Sequence, residues 1–193
     1  GHYHFNNSTM KDGEVVLMDC GPDLRHYSSD IARIWPVSGC YSEWHRRVYG
    51  FIVQYHKVLI SLIKPGIRAP EVYPEAAAIM RRDWVETFFP NGDLYEPLDQ
   101  MLNQGKPYNH CVGLSVHDFV GRWREETIEE NMVFVVDPMA MFRDRSQYIR
   151  VEDTIVVTRD GCERLTAPAP IELDEVEALM KQPGSFPLPD TAF

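Results

Sequence analysis

The fold is decided by the sequence VVLMDCGPDLRHYSSDIAR, residues 15–33. Residues 15–19 are predicted to form a strand, because an apolar, β-branched run ends at the breaker Gly21-Pro22. Residues 31–35 are predicted to form a second short strand that returns as a hairpin. Alternate positions along a strand share a face, so Asp19 points to the side that the apolar residues bury.

A carboxylate at a buried position is costly unless it is paired, hydrogen-bonded or bound to a metal. Asp30 begins the returning strand, and a hairpin would bring its carboxylate close to that of Asp19. Two adjacent carboxylates repel each other, and a divalent cation relieves that repulsion. The alternative is that Asp19 caps a turn and Asp30 caps the next element.

The rest of the chain mixes helices and strands, which predicts the α+β class. Apolar residues at helical spacing predict a long helix over 42–63 that ends at Pro65-Gly66. The other predicted elements, in chain order, are a helix over 70–85, a long loop over 86–109, strands over 111–117, 132–137 and 149–158, and a helix over 172–181.

Composition excludes several classes of protein. The chain has 193 residues, of which 44% are hydrophobic and 25% charged, with a net charge of −10. The negative charge argues against nucleic-acid binding, which needs a basic face. No apolar run approaches the roughly 20 residues that span a bilayer, so no membrane partner is expected. Four cysteines at wide, irregular spacing favour reduced thiols and a cytoplasmic location.

Four more residues are candidates for a polar site. Glu152 shares a strand face with Arg150, so a simple ion pair is the alternative to a ligand role. His110 and His117 would lie on opposite faces of an ideal strand, so both reach one site only if the chain bends. Asp137 ends an apolar strand. Such an oxygen-rich set with one imidazole suits manganese, cobalt, iron or zinc, and bridging carboxylates would allow two-metal hydrolysis.

The order and spacing of these residues resemble the M24 metallopeptidases, which have the pita-bread fold. The resemblance is closest to the aminopeptidase P and prolidase branch, the Xaa-Pro peptidases. Four motifs carry it: Asp19-Cys20-Gly21 followed by YSSDIAR (27–33), HCVGLSVHD (110–118), MVFVVDP (132–138), and RVED (150–153) followed by VTRDG (157–161).

The resemblance implies a role for each matching residue. The implied metal ligands are Asp19, Asp30, His110, Asp137 and Glu152. Asp30 and Glu152 would bridge two divalent ions, most often manganese, with cobalt, zinc or iron as alternatives. The implied catalytic residues are His117, which contacts the tetrahedral intermediate, and Asp137, which helps to move a proton. His2, His117 and Arg150 would line the substrate site, with Arg150 also orienting the carboxylates.

Three departures from the family pattern stand out. Asp137 occupies a position where the family has glutamate, so the ligand is one methylene shorter. Lys106 stands where Pro-specific members often have another histidine, which weakens the expectation of strict proline specificity. The family domain begins with a helical segment ahead of His2, so residues 1–171 are predicted to form an incomplete pita-bread domain. Residues 172–193 would then be a C-terminal helix and a proline-rich tail.

The leading hypothesis is a dinuclear metallopeptidase that removes an N-terminal residue from Xaa-Pro peptides or dipeptides through a bridging hydroxide. One alternative is a C–N hydrolase of the creatinase type, since one scaffold hosts several chemistries. A second alternative is a non-catalytic pita-bread module that binds peptides. The resemblance also implies a homodimer and a peptide substrate as partners.

Overall fold

A central antiparallel sheet forms the middle of the computed structural model, which describes Phe5 and residues 7–104, 109–118 and 127–184. Its strands are β1 (Val15–Cys20), β4 (Ile31–Pro36), β5 (Val133–Val136), β8 (Glu152–Val157) and β9 (Cys162–Arg164). One edge of β8 pairs with β5, and the other edge pairs with β4 at its beginning and with β9 at its end.

Two small hairpins complete the described β-structure. Strands β2 (Asp23–Leu24) and β3 (Tyr27–Ser28) pair between β1 and β4, and β6 (Met139–Phe142) pairs with β7 (Gln147–Arg150). The predicted pairing of the first strand with the returning strand is confirmed, because β1 and β4 are antiparallel neighbours over their whole length. At the bend between them only glycine fits, since a Cβ on Gly21 would lie 2.5 Å from the Ser29 carbonyl oxygen.

The helices cover the sheet and enclose the core. They are α1 (Glu43–Leu62), α2 (Ala69–Ile79), α3 (Val85–Phe88), α4 (Glu96–Asn103) and α5 (Leu173–Met180), with a π-helical turn at Met80–Trp84 that joins α2 to α3. Within the described residues, no helix has the length and apolar character that crossing a bilayer requires.

Helix α1 confirms the prediction for residues 42–63. The Ser42 side chain accepts a hydrogen bond from the backbone N–H of His45, which caps the helix at its first turn. Val48, Phe51 and Ile52 belong to a run of fully buried residues along the helix and pack in the core beneath the sheet. The helix therefore packs its buried face against β5 of the central sheet and against β7 of the neighbouring hairpin.

The prediction of an unbroken loop over 86–109 is wrong, because α4 forms within it. Pro97 sits in the first turn of this helix, where a missing backbone N–H costs nothing. Leu98, Met101 and Leu102 fall on one face at helical spacing and are buried. The helix has only 8 residues, and the prolines and glycines around it favoured the prediction of a loop.

The predicted strand over 111–117 is also wrong. Cys111 makes single bridges to Phe134 and Asp118, and the chain between 111 and 118 turns back on itself. Asp118 closes this turn: its backbone N–H donates to the Cys111 carbonyl at 3.0 Å, and its carboxylate accepts from the Leu114 N–H at 2.9 Å. Local side-chain hydrogen bonds have replaced the ladder of a strand.

The predicted strand over 149–158 is two strands in different sheets. Strand β7 ends at Arg150 and pairs with β6, whereas β8 begins at Glu152 and lies in the central sheet. The break at Val151 separates Arg150 from Glu152, and this allows the guanidinium to fold back over the sheet. Strands β6 and β9 were not predicted from the sequence.

Candidate metal centre

Three acidic side chains meet around Ala32 in the central sheet. Ala32 lies opposite Asp19 on one neighbouring strand and opposite Glu152 on the other. Opposed residues in antiparallel strands share a face, as do residues two positions apart along one strand, so Asp30 joins them. Because Ala32 carries only a methyl group, the space above it is left to the three carboxylates. An oxygen from each of these carboxylates lies within 4.8 Å of the others.

Two histidines reach the same cluster from the turn over 110–118. The backbone N–H of Val135 donates to the His110 carbonyl at 3.0 Å, which holds His110 beside β5. The ring centroids of His110 and His117 are 4.1 Å apart, so the bend that the sequence required is present. Nitrogens of both histidines and an oxygen of Asp30 form a second group within 4.8 Å.

Arg150 ties the remaining acids together. Its Nε and Nη2 bind the two oxygens of Asp137 at 2.8 and 2.7 Å, and its Nη1 donates to Asp19 Oδ2 at 2.7 Å. Nη2 also donates to Glu152 Oε2 at 2.7 Å. The ion pair with Glu152 that was the alternative interpretation therefore exists, but it uses only one oxygen of that carboxylate.

The crowding of acids changes their ionisation. Burial, followed by the charges of Glu152 and Asp19, raises the pKa of Asp30 to about 7. Burial and the charge of Glu152 also raise the pKa of Asp137, against the opposing effect of Arg150. Burial acts to lower the pKa of His110, but its contacts with Glu152, Asp30 and the Cys111 carbonyl raise it on balance. One arginine leaves this cluster short of positive charge.

Two buried atoms test whether a cation fits here. Oε1 of Glu152 and Nε2 of His110 are both buried and have no hydrogen-bond partner within the described part of the chain. They face each other at 3.4 Å, and Nε2 lies 3.6 Å from Asp30 Oδ2. Carboxylate oxygens and an imidazole nitrogen in this arrangement are ligands for a borderline divalent ion. The residues therefore fit a metal.

A second charged cluster, around Asp153, lies on the face of the sheet opposite Glu152, and it was not predicted from the sequence. Asp153 is fully buried and binds Arg33 at 2.5 Å, Arg164 at 3.2 Å and the Thr166 hydroxyl, while His56 Nε2 lies 3.2 Å from it. Burial acts to raise the pKa of Asp153, but these neighbours lower it on balance. The only signal in the sequence was the alternation along the RVED motif, which places neighbouring acids on opposite faces.

Backbone contacts fix the two acids expected to bridge. The Thr154 hydroxyl accepts from the Asp30 N–H at 2.9 Å and donates to the Asp30 carbonyl at 2.7 Å. Nη1 of Arg33 donates to the Glu152 carbonyl at 2.6 Å. Arg33 and Thr154 thus hold the strands from which Asp30 and Glu152 project, and neither residue was predicted to have a role.

The predicted site residues divide into three groups. Asp19, Asp30, Glu152, His110 and His117 converge as described, with His117 on the exposed side. Asp137 and Arg150 lie beside them, joined to each other. His2, predicted to line the substrate site, and Lys106, which replaces a family histidine, lie outside the described residues.

An antiparallel sheet whose facing acids meet two histidines forms a candidate metal centre. Comparison with known proteins identifies the class more closely. The model of metallopeptidase family M24 matches residues 1–159. Xaa-Pro aminopeptidase of Escherichia coli strain K12 is 34% identical over 194 residues, which cover 93% of this chain and 44% of the relative. Xaa-Pro aminopeptidase of Haemophilus influenzae is 30% identical, covering 93% and 45%.

Solved structures agree with the sequence matches. Proline aminopeptidase P II from Yersinia pestis superposes with a TM-score of 0.77 at 31% identity, covering 93% of this chain and 44% of that one. A variant of Escherichia coli aminopeptidase P gives a TM-score of 0.77 at 32% identity, with the same coverage. The chain belongs to metallopeptidase family M24 and has its pita-bread fold. It spans less than half the length of these relatives.

Proposed function

We propose that this chain carries the metal centre of an aminopeptidase that removes the N-terminal residue from Xaa-Pro peptides or dipeptides. The observation that carries the proposal is the convergence of Asp19, Asp30, Glu152 and His110 on one face of the sheet. Within it, a buried oxygen and a buried nitrogen have no hydrogen-bond partner among the described residues. The named relatives support the choice of peptide as substrate.

Two divalent ions, of which manganese is our first choice, would bind between these side chains. Asp19 would hold the first ion, His110 and Asp137 the second, and Asp30 and Glu152 would bind both. When bound, the ions would supply a hydroxide nucleophile and polarise the scissile carbonyl, as in other two-metal hydrolases. The crowding that raises the pKa of Asp30 to about 7 would then be relieved by cations rather than by protons.

The other polar residues orient the site and handle protons. Arg150 holds Asp19, Asp137 and Glu152 in fixed positions through three of its nitrogens. Burial raises the pKa of Asp137 in the metal-free protein, and we assign to this carboxyl group the proton-transfer role that the family resemblance implies. His117 lies on the solvent side of the cluster, where an entering peptide would meet it.

Two other functions use the same scaffold. A creatinase-type C–N hydrolase would act on a small amidine or amide, and it stays an alternative because fold does not determine the reaction. The shortened side chain at Asp137 favours a second alternative, a module that binds peptides without cleaving them. The expected homodimer is untested and stays a prediction.

A peptide panel with metal analysis tests the proposal. The 193-residue chain would be freed of metal, reconstituted with Mn²⁺, Co²⁺ or Zn²⁺, and given Xaa-Pro dipeptides, longer Xaa-Pro peptides, non-proline peptides and creatine. We expect bound metal and release of the first residue from Xaa-Pro peptides. Asp144→Asn, at an exposed acid, is the control variant and should behave as the unaltered chain.

Three outcomes would contradict the proposal. Absence of bound metal near stoichiometry would exclude the peptidase. Metal binding with peptide affinity but no cleavage would favour the binding module. Turnover of creatine in preference to peptides would favour the creatinase type.

A further inference from the structure

We infer that Tyr148 binds the substrate peptide, its hydroxyl group exchanging the sulfur atom of Met139 for a carbonyl oxygen of the peptide. The inference rests on the proposed function and deepens it, because it adds a peptide-binding residue beside the metal centre. Tyr148 lies outside the four sequence motifs and outside the candidate ligand set. No role was predicted for it from the sequence.

The hairpin of β6 and β7 has one face in the core and another beside the metal centre. Apolar side chains occupy the core face: Ala140, Phe142 and Ile149. Tyr148 and Arg150 are two positions apart on β7, so they share the other face. Their antiparallel partners on β6 are Met141 and Met139, which lie on that face too. This face therefore joins an aromatic ring and two thioethers to the arginine of the acid cluster.

Arg150 shows where this second face lies. Its guanidinium binds the carboxylates of Asp19, Asp137 and Glu152. Its Cζ atom is 6.0 Å from the centroid of the Tyr148 ring. The ring therefore borders the acid cluster, one side chain away from the candidate ligands.

The Tyr148 side chain is accessible, and its hydroxyl group can donate a hydrogen bond. Tyr148 is partly exposed, and Met141 opposite it is 41% exposed. Burial raises the pKa of Tyr148 to about 12, while the charge of Arg150 opposes this shift and the charges of the neighbouring acids add to it. The hydroxyl group therefore stays protonated at neutral pH, at a position that the charges of the acid cluster reach.

The hydroxyl group of Tyr148 donates to a weak acceptor in the free protein. Its partner is Sδ of Met139, at 2.7 Å. A thioether sulfur is a weak acceptor, whereas the carbonyl oxygen of an amide is a strong one. Exchange of the first for the second would therefore favour peptide binding, and the flexible Met139 side chain can repack when it is released.

The position of Tyr148 determines which part of the peptide it would contact. The proposed reaction removes only the first residue, so the scissile carbonyl lies at the metal centre and every other carbonyl belongs to the leaving part. Asp137, to which proton transfer is assigned, leads directly into β6, so the leaving part faces this hairpin. An extended chain advances about 3.3–3.6 Å per residue. The first carbonyl of the leaving part can therefore reach Tyr148 across Arg150.

Steady-state kinetics with the tripeptide Ala-Pro-Ala supply the first test. Tyr148→Phe removes the hydroxyl group and keeps the ring, so we expect KM to rise about fivefold, within the roughly 2- to 12-fold range of one neutral hydrogen bond. The kcat and the affinity for Mn²⁺ should each change less than about twofold. Met139→Leu removes the competing sulfur and should lower KM about twofold. Tyr27→Phe, at an exposed residue of β3, is the control and should change none of these.

Nuclear magnetic resonance of the methionine methyl groups tests the inference without measuring activity. The chain contains eight methionines, which would carry ¹³C methyl labels in protein loaded with Zn²⁺ and titrated with the dipeptide Pro-Ala, the expected product. We expect the Met139 signal, identified by its loss in Met139→Leu, to shift when Pro-Ala binds. The signal of Met10, which is 63% exposed, should stay in place. In Tyr148→Phe the Met139 signal should no longer respond.

The outcomes separate this inference from the proposed function. Hydrolysis with an unchanged KM in Tyr148→Phe would overturn the inference and leave the peptidase proposal standing. A fall in kcat or in bound Mn²⁺ without a change in KM would overturn it as well. Absence of both hydrolysis and peptide binding in the unaltered chain would overturn both. If Tyr148→Phe does not fold, the response of Met139 to Pro-Ala in the unaltered chain decides.

Discussion

Glu152 and Asp153 are adjacent acids with the same burial, and their surroundings are opposite. Both are 0% exposed at the start of β8, and the pleat directs them to different faces of the sheet. Asp153 faces Arg33, Arg164 and Thr166, which satisfy its oxygens, and His56 Nε2 lies 3.2 Å from it. Glu152 faces other acids, and its Oε1 has no hydrogen-bond partner among the described residues.

The difference separates a structural acid from a ligand. The neighbours of Asp153 lower its pKa, so its negative charge is balanced within the folded protein and needs no metal ion. The charge of Glu152 raises the pKa of both Asp30 and Asp137, so one arginine, Arg150, supplies too little positive charge for the acids on this face. Burial alone does not identify a metal site, whereas buried acids without enough cationic partners do.

Removing the structural acid should have the largest effect on stability. Asp153→Ala leaves Arg33, which is 4% exposed, without its anion. Loss of one partner of a buried ion pair costs about 3–5 kcal/mol of unfolding free energy. Urea unfolding of metal-free protein would measure it, with exposed Glu163→Ala as control. A loss below about 1 kcal/mol would contradict the structural role.

Removing a bridging acid should abolish function instead. Asp30→Asn replaces a carboxylate with an amide that cannot neutralise two cations, so we expect bound metal to fall and kcat/KM to drop more than about 1,000-fold, about 4 kcal/mol. Metal analysis and peptide hydrolysis would measure the two effects. Full activity in this variant would show that Asp30 is not a ligand.

Comparison with Asp30→Asn should also reveal the cost of burying Asp30 among other acids, as a pH dependence of the stability of the metal-free protein. The pKa of Asp30 is about 7 in the folded protein against 3.8 in the unfolded chain. Its protonated form is therefore stabilised by folding, and this contribution is lost as pH rises from about 4 through 7. With a chelator present, the unaltered chain should lose on the order of 3–4 kcal/mol relative to Asp30→Asn between pH 4 and 7.5. If the unfolding free energies of the unaltered chain and of Asp30→Asn changed in parallel with pH, the acids of the metal-free cluster would not repel one another as described.

The smallest effect is expected at Thr154, whose hydroxyl links β8 to the backbone of Asp30. Thr154→Val removes both hydrogen bonds to the Asp30 backbone and keeps the shape of the side chain, so we expect about 1–2 kcal/mol of destabilisation. Metal affinity should fall about tenfold, and Thr154→Ser should restore most of both. Calorimetry with Mn²⁺ and urea unfolding would measure them. An unchanged affinity would mean that Thr154 does not position Asp30.

The hairpin β1–β4 and helix α1 were predicted correctly because their signals are local. Alternation and a Gly-Pro break define the first, and a helical period with a firm stop defines the second. Helix α4 was missed because it is short and lies among prolines and glycines. The strand predicted over 111–117 failed because the contacts of Asp118, seven residues beyond Cys111, outweighed the apolar pattern.

The ligand candidates could be read from the sequence because motif order carries them, but their partners could not. Asp19, Asp30, His110 and Glu152 were all predicted, and all lie together. Arg33 and Thr154 act on these ligands through strand pairing between residues more than 100 positions apart. No local pattern reports such a contact.

The sequence by itself determined the α+β class, the β1–β4 hairpin, the long helix and the set of acids and histidines that can bind metal. These follow from residue type and short-range period, which depend on covalent geometry and burial. Only the tertiary structure decided which acids face one another. Strand register placed Asp19, Asp30 and Glu152 around Ala32. It also directed Asp153 toward Arg33, and the folded chain brought Arg150 into an ion pair with Asp137. Charge balance depends on distances across strands, and those exist only in the folded chain.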